Sequence, residues 1–245
     1  FWIADRSFYS PKYRSSHWSM LLLTELAVDP QHPKVRLGAK YMRERVFRLR
    51  RNENWLFKDG LGCFWGNWLR YQLSGGNFSD HWVQEIIQRT CDDILRQGRC
   101  LYNEELPCAW GIVRGLFGLA LIPKNQRSQT VQDAVDAGIH FLLEEFSLLQ
   151  ADYPYVQKIH PTWAKLSFPL FYQADVLFVL LVMRELGALD RPGAQKPLQW
   201  LKEKAEINGR WRGGSPYRRR TWPFLASDDT VNHWLTLHAL QVLAD

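Results

Sequence analysis

Four side chains are soft-metal donors set where apolar helices are expected to begin. Cys63, Cys100, Cys108 and His160 are separated by 36, 7 and 51 residues, which is no recognised finger spacing. Zn²⁺ nonetheless takes sulfur and nitrogen ligands tetrahedrally, and a Cys₃His set is of the closed, structural kind. Cys63 and Cys108 each open an apolar stretch, where a helix dipole favours the thiolate that zinc needs. Cys100 lies close enough before Cys108 for its loop to fold back, and His160 precedes the next apolar stretch. Leaving Cys100 out would give an open, catalytic type of site. The alternative is that these are reduced thiols packed as small hydrophobes. Cys91 falls midway along a polar helix and is set aside.

Three acids are the other candidates for chemistry. Asp228 and Asp229 follow Ser227 at the start of the last helix, where Ser and Asp serve as ordinary N-caps. Asp175 sits in an apolar segment and must be solvated, paired or neutral, with Arg114 or His160 as its partner. Aromatic residues add a third signal. Twelve tryptophans in 245 residues suit an apolar cavity, a carbohydrate cleft or an ordinary core. Trp65, Trp110, Trp163, Tyr172 and Trp234 are the candidates for a pocket wall. The basic run "RWRGGSPYRRR", Arg210 to Arg220, reads either as a solvated loop or as the contact for an anionic partner.

Positioning these residues falls to helices. Apolar residues recur at helical spacing along nearly the whole chain, without the alternation that strands require. The helices are expected at Ser16–Val28, Pro33–Arg50, Cys63–Leu73, Ser79–Gln97, Cys108–Leu121, Ser128–Leu149, Pro169–Leu186, Ala194–Lys204 and Asp228–Leu243. Pro- and polar-rich turns such as "LAVDPQHPKV" and "LGALDRPGAQKPL" follow apolar helices and lead into polar ones, a repeated hairpin. The apolar members are expected inside and the amphipathic ones outside. Gly111, Gly115 and Gly118 within one apolar helix demand a packing reason, because each costs up to about 1 kcal/mol against Ala.

Hairpins closing on "NGRW" (208–211), apolar helices opening with Cys-x-Trp-Gly at Cys63 and Cys108, and the final "TVNHWLTLHALQVL" resemble the α/α-toroid superfamily of terpenoid cyclases and protein prenyltransferases. They are more closely similar to bacterial hypothetical proteins with prenyltransferase and squalene-oxidase repeats. The resemblance covers about residues 15 to 245. It implies an all-α toroid of about four to five hairpins, with Cys63–Leu73, Cys108–Leu121, Pro169–Leu186 and Asp228–Leu243 as inner helices whose N-termini share one mouth. Gly209-Arg210-Trp211 is similar to the Gly-x-Trp of the cyclase repeat, without its upstream Gln. Asp228 and Asp229 are similar to the cyclase Asp-x-Asp-Asp acid, but Ala226 stands at its first position and leaves it incomplete. Protein prenyltransferases hold zinc at a comparable mouth, and the resemblance implies the same place for zinc here.

One domain, 1–245 with residues 1–14 as an N-terminal extension, is expected, since no Gly/Ser/Pro-rich linker divides the chain. The longest apolar run, Val176 to Met183, is too short to cross a bilayer. Four cysteines without a CxxC pair point to reduced thiols and a cytoplasmic location. The function expected is binding of an apolar, isoprenoid- or lipid-like small molecule in an aromatic central cavity, with catalysis undecided. The alternatives are a non-catalytic scaffold meeting an anionic partner at Arg210–Arg220, or a carbohydrate-active α/α barrel with two carboxylates about 5–9.5 Å apart.

Overall fold

The computed structural model of the chain describes residues 7–50, 55–57, 60–146, 152–153, 158–159, 161–225 and 227–244. Among them run α1 (Ser16–Glu25), α2 (Pro33–Arg50), α3 (Gly62–Ser74), α4 (His81–Leu95), α5 (Ala109–Leu119), α6 (Gln129–His140), α7 (Val176–Leu186), α8 (Pro192–Glu203) and α9 (Asp228–Leu243). One antiparallel pair, β1 (Asp152–Tyr153) with β2 (Lys158–Ile159), is the strand ladder of the described residues, and the fold is all-α as expected. Every expected helix is present. The chain divides into two compact units, Phe1–Val135 and Asp136–Asp245, and the division falls inside α6.

Helix starts follow their caps. Asp80 accepts from the backbone N–H groups of Trp82 and Val83 to open α4, and Ser227 accepts from Thr230 N–H to open α9. Gly187, in the left-handed region at φ 68°, closes α7. Two expected boundaries are corrected. The helix expected from Pro169 begins at Val176, because Asp175 caps it and Phe171 takes φ 54° within the turn before it. The helix expected over Ser128–Leu149 begins at Gln129, leaves α geometry at Phe141 and continues as a π-turn through Glu145, while its expected end at Leu149 lies outside the described residues.

Glycine sets the close contact in the N-terminal unit. A Cβ on Gly66 would stand 2.0 Å from the carbonyl oxygen of Arg114, and one on Gly118 would stand 2.7 Å from that of Gly66. A Cβ on Gly62 would stand 3.0 Å from the Gly111 carbonyl oxygen. These partners advance together along both helices, so α3 and α5 run parallel with their backbones in contact. Gly115 instead faces α4, where an added Cβ would stand 3.0 Å from Ile94 Cδ1 and 3.2 Å from Thr90 Cγ2. All of α5 but Trp110 is buried, which accounts for its lack of charge apart from Arg114. The charged helices α2 and α4 meet through Arg43 and Asp80 at 3.1 Å and through Phe47 stacked on Trp82. Residues 8–15 belong to this unit: Phe8 and Tyr13 are buried, and Trp18 Nε1 donates to Tyr9 O.

In the C-terminal unit α7 packs on α8 and α9. Buried apolar residues occupy most of α7, from Val176 to Met183. Helix α9 was expected to be inside. It buries only the stripe Val231, Leu235, Ala239 and Val242, while Leu237 and Leu240 are 45% and 51% exposed.

Candidate functional site

Two loops of the C-terminal unit are stitched into one wall by backbone hydrogen bonds. Gly214 N–H donates to Leu166 O at 3.1 Å, and Phe168 N–H donates to Gly214 O at 3.1 Å. Gly213 is required at this crossing, since a Cβ there would stand 2.0 Å from Leu166 O. Its N–H donates to Asn232 Oδ1 on α9. Trp211 anchors the same loop from two sides: its indole N–H donates to Leu201 O near the end of α8, and its backbone N–H donates to Thr236 Oγ1. Ahead of it, Gly209 at φ 72° and Asn208 Oδ1, which accepts from Arg210 N–H, make the tight turn that "NGRW" encodes. The basic run is therefore a fastened loop.

This wall borders a pocket of about 490 Å³, within the range of about 300–1,000 Å³ usual for small-molecule sites. Pro161, Ala164, Leu166 and Pro216 give it apolar surface. Lys165, Lys204 and Arg212 add three cations, and among the described residues no carboxylate lines it. Arg212 Nε is held by Glu206 Oε1 at 2.7 Å. Ser215 also lines the pocket, and its hydroxyl oxygen is buried without a hydrogen-bond partner among the described residues.

The cysteines partly converge. Burial is the main cause that pushes the Cys63 thiol up to about 12, and the nearby Cys108 and Cys100 add to it. Cys108 rises to about 12 for the same first reason, although its sulfur accepts from Gly111 N–H at 3.4 Å as the cap of α5. These thiols are neutral near pH 7 as they stand. No group of three His, Cys, Asp or Glu side chains among the described residues is arranged to hold a metal. His160 lies outside the described residues.

The three acids are engaged structurally. Asp175 is fully buried, and its two oxygens accept from Phe178 N–H and Ser167 N–H at 2.8 Å each. It is the N-cap of α7, one position before the helix, where a buried carboxylate gains charge-assisted hydrogen bonds. Asp228 pairs with Arg218, and Asp229 lies 3.6 Å from His233; both acids are exposed in the first turn of α9. Arg114, considered above as a partner for Asp175, has Glu25 at 2.9 Å and Asn67 at 3.4 Å. Burial raises the Glu25 carboxyl above its ordinary range, and Arg114 and then Arg70 offset part of that rise.

The aromatic candidates separate by unit. Trp65 and Trp110 lie in the N-terminal unit, and Trp163, Tyr172 and Trp234 in the C-terminal one. Trp65 and Trp163 are 1% exposed, so each is core rather than the wall of an accessible cavity. Trp65 packs on Phe57 and Phe64 and donates to Leu56 O. Trp110, Tyr172 and Trp234 are half-buried, and Trp234 stacks on Phe168 at 5.4 Å.

The run Arg210–Arg220 read from the sequence contains Arg212 and Ser215, whereas Lys165 and Lys204 were not among the sequence candidates. Gly213-Gly214-Ser215 directly after Arg212 was the available signal, because two glycines beside a cation let another backbone approach. Comparison of the chain with protein-family models, with curated proteins and with solved structures finds no match.

Proposed function

We propose that this protein is a helical-hairpin binding protein, and that it takes a small, largely apolar molecule in the pocket walled by residues 161–167 and 212–216. The observation that carries this reading is the pocket itself: about 490 Å³, an apolar wall, a few polar groups, and two loops cross-linked by backbone hydrogen bonds. Such a preformed site spares a ligand the cost of ordering loops. Binding is favoured over catalysis because Asp175, Asp228 and Asp229 already serve as cap or ion-pair partners. The α/α-toroid resemblance supports an apolar ligand, although the place proposed here is a loop-walled pocket and not an aromatic ring centre.

The test is titration with N-phenyl-1-naphthylamine, a neutral dye whose emission rises in apolar surroundings. Saturable enhancement is expected, together with its loss in Ala164→Trp, which fills the pocket from an exposed loop position. Absence of enhancement, or enhancement that Ala164→Trp leaves intact, contradicts the reading.

A further inference from the structure

The pocket's charge goes beyond what an apolar ligand needs. Three cations, Lys165, Lys204 and Arg212, border a volume with no carboxylate in its wall among the described residues. The chain as a whole carries only +6. Like charges gathered around one concavity repel one another, and low-dielectric walls such as Pro161, Leu166 and Pro216 strengthen that field. Glu206 answers one of them from outside the wall, through Arg212. Lys165 and Lys204 have no carboxylate partner among the described residues; the Lys204 ammonium lies 5.4 Å from the Trp200 ring centroid. Two ammonium groups therefore remain to be matched.

We infer that the ligand of this pocket carries an oxyanion, a phosphate monoester in preference to a carboxylate, held between Lys165 and Lys204 with Arg212 at its edge. This rests on the binding reading given above. Charge matching selects the phosphate: at pH 7 a phosphate monoester bears about −1.5 to −2, a carboxylate only −1, and two lysines supply +2. Lysine acts on phosphate as a point charge and needs no planar, two-pronged geometry. The ligand is then amphipathic, its apolar body on Pro161, Ala164, Leu166 and Pro216 and its charged end toward the lysines.

The experiment compares 1-naphthyl phosphate, 1-naphthoate and 1-naphthol by calorimetric titration of the intact chain. The same ring presents a dianion, a monoanion and a neutral group. The expected order is phosphate, then carboxylate, then alcohol, with phosphate at least tenfold tighter than alcohol and weakening as salt rises. Lys165→Ala with Lys204→Ala is expected to remove that tenfold preference, read as the ratio of the phosphate and alcohol affinities of the same variant. Lys165→Arg with Lys204→Arg is expected to keep it. All these positions are exposed, so the variants fold. Equal affinity for phosphate and alcohol overturns the inference and leaves the pocket reading standing. A phosphate preference that survives loss of both lysines also overturns it, and points to Arg212 as the anion contact. Carboxylate bound more tightly than phosphate refutes the choice of phosphate. Failure of all three probes and of the neutral dye overturns the binding reading and the inference together.

Discussion

Replacing Gly66 by Ala adds one methyl group at the place where α3 and α5 touch through their backbones. The new Cβ would stand 2.0 Å from Arg114 O, 2.2 Å from Arg114 C and 2.5 Å from Gly115 N. All three are main-chain atoms of a buried helix, so no side chain can swing away. Ordinary carbon contact lies near 3.5 Å, and α3 must therefore recede by about 1.5 Å along much of its length. That movement also loosens Gly118 against Gly66 and Gly62 against Gly111. Overpacking of this kind costs about 1–3 kcal/mol and at times more, against about 1 kcal/mol gained in helix propensity. A net loss of about 2 kcal/mol or more is expected. Gly111→Ala is the internal control, because its nearest neighbours stand at 3.7 Å and the propensity gain is nearly free. Gly115→Ala lies between the two, since it meets only the side-chain ends of Ile94 and Thr90. Urea unfolding followed by circular dichroism reads all three. A Gly66→Ala protein as stable as the parent, or a Gly111→Ala protein destabilised more than Gly66→Ala, refutes the parallel close contact of α3 and α5.

Asp175→Ala strips acceptors from Ser167 N–H and Phe178 N–H, and with about 1–3 kcal/mol for each buried donor left unsatisfied, a loss of about 2–6 kcal/mol is expected in urea unfolding; Asp175→Asn, which keeps one carbonyl acceptor, is expected to lose less. His17 is fully buried, and burial lowers it to about 3, so its neutral form is the folded one. Stability is then full above the unfolded value near 6.5 and falls by up to about 1.4 kcal/mol per pH unit as pH drops toward 3. His17→Phe is expected to flatten that slope in acid-dependent melting, and an unchanged slope contradicts it. The thiols of Cys63 and Cys108, held near 12 by burial, are expected to react slowly with a thiol reagent until the chain is unfolded; about one zinc per chain in elemental analysis, lost with melting temperature on chelation, would establish the metal instead.

Helix positions were legible because periodicity and caps are local. Pro33–Arg50 and Asp228–Leu243 read from the sequence as they stand in the structure. The glycines of α5 also announced a close approach, although its register and its partner on α3 depend on packing across many intervening residues. Apolar spacing misled at Pro169, where the same residues form a buried turn and Asp175 defines the true start of α7. Tryptophans could not be sorted into core and wall, since a residue such as Trp65 suits either and only its neighbours decide. The pocket was the least legible part. Lys165 and Lys204 lie far apart in sequence, and they share a wall because Leu166 and Phe168 hydrogen-bond to Gly214 while Trp211 of the same loop is fastened to Leu201 of α8.

Hydrogen–deuterium exchange with and without 1-naphthyl phosphate tests the location of the binding site most directly. Slowed exchange is expected to be confined to amides of residues 162–167 and 212–215, together with those at the end of α8 near Lys204. Protection centred on α3 and α5 instead, or none anywhere at saturating probe, would contradict it.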